Sequence, residues 1–78
     1  MMDIKLADVT IHIDKDTDSE TRQDVESALR AVSGVISVHM PSEESHLVLV
    51  EYDPDKTTSS NLLAMVEEVV GHAEMIGL

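Results

Sequence analysis

One hydrophobic stripe occurs twice in this chain. Val25, Ala28, Leu29, Val32 and Gly34 recur at a constant offset as Leu62, Met65, Val66, Val69 and Gly71, and the i, i+3, i+4, i+7 spacing is that of one helix face. The same offset carries Ile11, Ile13, Asp16 and Asp18 onto Val48, Val50, Asp53 and Asp55, and Val38 onto Met75. Pattern recurs more than identity, so what repeats is a supersecondary unit, a strand followed by the helix that covers it. A chain of 78 residues has room for one hydrophobic core. The two units must therefore share it, and residues 1–78 read as a single domain.

Val9 to Ile13 alternates apolar and polar as a strand does, and a polar loop from Asp14 to Asp18 follows. Thr17 with Glu20 has capping-box spacing and Asp18 is an equally good N-cap, which starts a helix near Ser19 with Gly34 as its stop. Val35 to Met40 is a second strand. Pro41-Ser42-Glu43-Glu44-Ser45 makes a hairpin-like connection into a third strand, His46 to Tyr52. After the turn Asp53-Pro54-Asp55, Thr57 or Thr58 caps a helix running to about Val70, Gly71 stops it, and Ala73 to Ile76 closes the chain. Right-handed crossovers between two such units give an α+β, ferredoxin-like βαββαβ sandwich. Its four-stranded antiparallel sheet has both helices on one face and the first and third strands at the centre.

The charge balance restricts the partners. With a formal net charge of -11 and only five Lys and Arg, the chain lacks the cations that neutralise a phosphate backbone, and anionic membrane surfaces repel it. No apolar run approaches the roughly 20 residues that span a bilayer. Met1 to Val9 has no basic n-region followed by a long apolar stretch, so a cytoplasmic location is expected. The chain has no cysteine, and its one aromatic residue is Tyr52. Stability must come from aliphatic burial alone, a thin margin at this size that a homodimer would widen.

The segments Val25-Glu26-Ser27-Ala28-Leu29, Ser33-Gly34-Val35 with Val38, Tyr52-Asp53-Pro54 and Gly71-His72-Ala73-Glu74 are similar to the framework of a known family. They resemble the heavy-metal-associated domains of copper chaperones and of the N-terminal arms of metal-transporting ATPases, over Val9 to Leu78. The resemblance implies metal ion binding or metal transport and no enzymatic activity. It also implies a Met-x-Cys-x-x-Cys loop ahead of the first helix, which falls here on Asp16-Thr17-Asp18-Ser19-Glu20-Thr21. Asp16 stands at the methionine position, and Asp18 and Thr21 at the cysteines. Oxygen replaces every soft donor, so no thiolate-bound copper or zinc is expected. The metal position carried over by the resemblance comprises Asp16, Asp18, Glu20 and Thr21.

Carboxylates suit a hard divalent cation such as Ca²⁺ or Mg²⁺. The alternation Asp14-x-Asp16-x-Asp18-x-Glu20 resembles the start of an EF-hand loop, although Ser19 stands where glycine is needed and Val25 where the bidentate glutamate belongs. Acids at a helix start also have a simpler use, favouring the macrodipole by roughly 0.3–1 kcal/mol each. Four histidines, His12, His39, His46 and His72, show no ligand spacing such as His-x-x-x-His. Alternation puts His12 and His39 on the sheet face away from the helices, with Glu74 beside His12 and His39 on the far edge, so three converging ligands are not expected and the four read as scattered surface histidines.

Leu47-Val48-Leu49-Val50 is apolar on both faces. Val48 and Val50 should meet the helices, leaving Leu47 and Leu49 on the open face near Ile76, where self-association or a protein partner would cover them. No Ser or Thr has the adjacent base that catalysis requires, and no glycine-rich phosphate loop exists. Two functions follow: metal handling through oxygen or imidazole donors or in trans with a thiol-bearing partner, or a metal-independent interaction or dimerisation module.

Overall fold

The computed structural model describes residues 5–14, 16–44 and 46–76. Six elements follow in order: β1 (Ala7–Ile13), α1 (Ser19–Arg30), β2 (Val35–His39), β3 (Leu47–Tyr52), α2 (Ser59–Val70) and β4 (Ala73–Ile76). They form a four-stranded sheet in the order β2-β3-β1-β4, every neighbouring pair antiparallel. This is the ferredoxin-like sandwich, with β1 and β3 central. Ser45, the last residue of the expected hairpin connection, lies outside the described residues.

The repeat is the core. The eight largest fully buried side chains are Ile11, Ile13, Val25, Leu29, Val48, Val50, Leu62 and Val66. They form the repeat-related pairs Ile11/Val48, Ile13/Val50, Val25/Leu62 and Leu29/Val66. Each unit contributes two strand residues and two helix residues to a common layer, so apolar area is removed from water symmetrically by both halves.

The helix limits depart from the repeat. α2 runs up to Gly71, which caps it with φ 86°, as expected. α1 ends at Arg30 with Ala31 as its cap, short of the glycine stop expected at Gly34. Ser19 lies nearly two turns ahead of Val25, whereas Ser59 lies less than one turn ahead of Leu62, so the two helices are displaced along the same stripe. The guanidinium of Arg30 donates to Glu26 at 2.9 Å and to the Val38 carbonyl at 3.2 Å, tying the early helix end to β2. Gly34 instead sits in the turn into β2 with φ 100°.

Of the two candidate caps of α2, Thr58 is the one used: its hydroxyl accepts from the Asn61 N–H at 3.1 Å. Thr57 is 4% exposed, and its hydroxyl has no hydrogen-bond partner. A buried hydroxyl without a partner costs stability that an isosteric methyl group does not. Thr57→Val is therefore expected to stabilise the domain by about 1 kcal/mol, read as a higher urea midpoint at unchanged slope. A lower midpoint would mean that the hydroxyl is satisfied in solution.

Candidate functional site at the loop end of the sheet

β1 ends, and β3 and β4 begin, at one end of the sheet. The loop between β1 and α1 lies there too. Of the four acids from Asp14 to Glu20, Asp14 and Asp18 are engaged with nearby backbone. Asp14 Oδ1 accepts from the Asp16 N–H at 3.0 Å, and the Thr17 hydroxyl donates to the Asp14 carbonyl at 2.6 Å. Asp18 is the N-cap of α1, Oδ1 accepting from the Thr21 N–H at 2.8 Å, so the cap is Asp18 and not Thr17. Asp16 and Glu20 are exposed, and Thr21 is half-buried.

Hydrogen bonds from the Thr21 hydroxyl and N–H, aided by the Arg22 charge, hold the Asp18 carboxyl below its ordinary pKa. A carboxylate depressed in the folded state stabilises above its unfolded pKa of about 3.9 and loses that contribution as pH falls through the lower folded value. Asp18→Asn keeps an acceptor but removes the charge. Its thermal midpoint is expected to lie below wild type at neutral pH and to converge on it in acid. Parallel curves of midpoint against pH would contradict this.

The histidines separate into two groups. His39 sits on the edge strand opposite Leu49. His12 lies opposite Glu74 in the β1–β4 register, as the alternation predicts. Sequence reasoning missed His46: its ring meets that of His12 edge to face, centroids 5.2 Å apart and planes at 73°. The signal becomes visible only with the register, because Leu47 pairs with His12 and the Ile13 N–H donates to the His46 carbonyl at 2.8 Å. His72 Nε2 lies 3.6 Å from Glu74 Oε1, both side chains exposed.

A shallow depression at this end is lined by His12, Ile13, Asp14, Asp16, His72 and Glu74. Asp14 and Asp16 also line a neighbouring depression with Asp18 and Thr21. Among the described residues, no three His, Asp or Glu side chains form a group that could hold a metal ion.

Across the open face, Thr10 lies between Leu49 on β3 and Ile76 on β4. Leu47 is one row away beside His12. Leu49 is 37% exposed and Ile76 44%, so the three aliphatic residues are interleaved with polar ones. At the β2 edge the register skips Ile36. This bulge turns Ser37 onto the open face, where its hydroxyl donates to Glu51 at 2.7 Å, and leaves Ile36 52% exposed. Among the described residues, no helix is long and apolar enough to cross a membrane.

No protein-family model matches the sequence, and no curated protein does. Solved structures do match the fold. A copper-binding domain from HMA7, a P-type ATPase, is 21% identical with a TM-score of 0.77, covering 90% of this chain and 93% of its own. A putative copper-ion-binding protein from Bacillus anthracis str. Ames is 18% identical with a TM-score of 0.77, at coverages of 95% and 100%. Oxidised MerP from Ralstonia metallidurans CH34 is 22% identical with a TM-score of 0.75, at coverages of 92% and 96%.

Proposed function

We propose that this chain, whose likeness to these domains extends at such identities to the fold alone, is a metal-handling domain that takes a divalent cation at the loop end of its sheet, through imidazole and carboxylate donors in place of thiolates. The observation that supports this most is the depression lined by His12, Asp14, Asp16, His72 and Glu74, beside the loop on which the family resemblance places its metal motif. Asp16 supplies a carboxylate from that loop, Asp18 and Thr21 fix its shape, and Glu20 adds negative potential. The residues at this loop do not fit thiolate exchange of Cu(I), because soft metals select sulfur and here every donor is oxygen or nitrogen.

Equilibrium dialysis of the intact chain against Zn²⁺, Ca²⁺ and Cu(I) tests the proposal. Retention of one equivalent of a divalent ion, removed by EDTA, is the expected result, with no Cu(I) held against a competing Cu(I) chelator. Failure to retain either divalent ion at millimolar concentration would end it.

The open face favours a second function, docking without metal. It combines Leu47, Leu49 and Ile76 with Asp8, Glu51 and Glu74, and none of its residues is Lys or Arg. Such a face suits a basic partner better than a second copy, which would oppose acid to acid. Sedimentation as a monomer at high concentration, with Leu49→Lys leaving stability unchanged, would remove self-association.

A further inference from the structure

α1 and α2 cover one face of the sheet, over Ile11, Ile13, Val48 and Val50, and the other face is open. An antiparallel sheet covered on one side normally turns polar residues to water on the other. Here the central row of the open face is His39, Leu49, Thr10 and Ile76, read from β2 across β3 and β1 to β4. Leu49 is 37% exposed and Ile76 44%, and a depression on this face is lined by Asp8, Thr10, Ser37, His39, Leu49 and Glu51.

Charge decides what can cover this row. On one side of it Asp8 and Glu51 pair directly across β1 and β3, where opposed Cβ atoms are about 4.5–5.5 Å apart and like charges are destabilising. Both are exposed, and among the described residues neither is in an ion pair. The Ser37 hydroxyl donates to Glu51 Oε1 at 2.7 Å, which fixes one oxygen of that carboxylate and leaves the second to accept from elsewhere. On the other side of the row, Glu74 stands beside His12 and Leu47. Asp8 and His12 are four residues apart along β1, roughly 13 Å, so acid flanks an apolar band about as wide as a helix with its side chains, ~10–12 Å. A second copy would set further carboxylates against Asp8 and Glu51. A cationic partner would relieve their repulsion.

We propose that the open face docks a basic amphipathic helix of a partner protein, with a guanidinium seated between Asp8 and Glu51 and the apolar stripe of the helix on Leu49 and Ile76. This rests on the docking function above and narrows it to one chemistry. Arginine suits the seat better than lysine, because its planar fork can donate to both carboxylates at once. Glu74 receives a second basic residue on the far flank. The docked helix completes a third layer, on the face that α1 and α2 leave uncovered.

NMR titration of the intact chain with a synthetic amphipathic helix of Leu and Arg tests the proposal, with a Leu and Glu helix of the same pattern as the control. Amide shifts are expected at Asp8, Thr10, Leu49, Glu51 and Ile76 with the first peptide and none with the second. Asp8→Asn with Glu51→Gln should weaken binding by roughly 10-fold or more and raise the urea midpoint of the free domain, since the like-charge pair is gone. Asp24→Asn with Glu68→Gln removes the same charge from the exposed sides of α1 and α2 and should leave the affinity nearly unchanged. Open-face shifts with equal weakening by the two double variants, or with none by either, would overturn the seat and keep the docking function. Shifts confined to α1 and α2, or a dimer that buries Leu49 in place of peptide binding, would remove the basic partner altogether.

Discussion

Leu62→Ala is expected to destabilise the domain by about 2–5 kcal/mol, the cost of deleting a large buried aliphatic side chain and leaving part of its volume empty. Leu62 is 0% exposed, and it sits in α2 among buried side chains from both halves of the repeat. A domain of this size holds on the order of 0.05–0.15 kcal/mol per residue in total, so this single truncation removes much of the margin. No disulfide backs up this core, and Tyr52 is its one aromatic member. Urea denaturation followed by circular dichroism measures the effect. The paired residue Val25, equally buried, provides the comparison: Val25→Ala removes less volume and should cost less. A loss well under 1 kcal/mol for Leu62→Ala would mean that α2 is not packed as described.

Gly34→Ala is expected to be costly for a different reason. At φ 100° any side chain is strained, and the left-handed region costs a non-glycine residue roughly 1–2 kcal/mol. A Cβ at Gly34 would also stand 2.7 Å from Lys56 Cβ and 3.4 Å from Thr57 Cγ2. The turn after β3 must therefore shift, although the Asp53 N–H is bonded to the Gly34 carbonyl at 2.8 Å. Forcing extra atoms into a packed contact adds about 1–3 kcal/mol. Gly71→Ala is the control, since its φ is also positive, 86°, but nothing lies within 4 Å of the added Cβ. It should carry the conformational cost alone, about 1–2 kcal/mol. Equal losses at the two glycines would contradict the close approach at Gly34.

This difference between the glycines also marks what the sequence can and cannot reveal. Hydrophobic period is set by burial, and burial is shared by both halves, so period alone pairs Ile11 with Val48 and Leu29 with Val66. Helix ends answer to local contacts that period does not report. α1 ends at Arg30, whose side chain reaches the Val38 carbonyl, and Gly34, identical in pattern to Gly71, serves a turn that packs on Lys56. At the loop end, alternation brings His12 and Glu74 together, because a strand of known register puts alternate residues on one face. It says nothing of His46, which lies just before its strand and meets His12 through the β2–β3 connection. The acidic loop shows the reverse: its regular spacing suggests a cation site, while Asp14 and Asp18 are engaged with the backbone of Asp16 and Thr21. Ile36 was invisible for a related reason, since a bulge breaks the alternation from which faces are read.

The central claim is that this fold handles a divalent cation at the end of its sheet without a single thiol. An amide-resolved NMR titration of the intact chain with Zn²⁺ tests it most directly. Shifts are predicted to concentrate at His12, Asp14, Asp16, His72 and Glu74, which line the depression, with the outer faces of α1 and α2 unmoved. A spectrum unchanged at millimolar Zn²⁺, or shifts confined to Glu67 and Glu68 on α2, would contradict it.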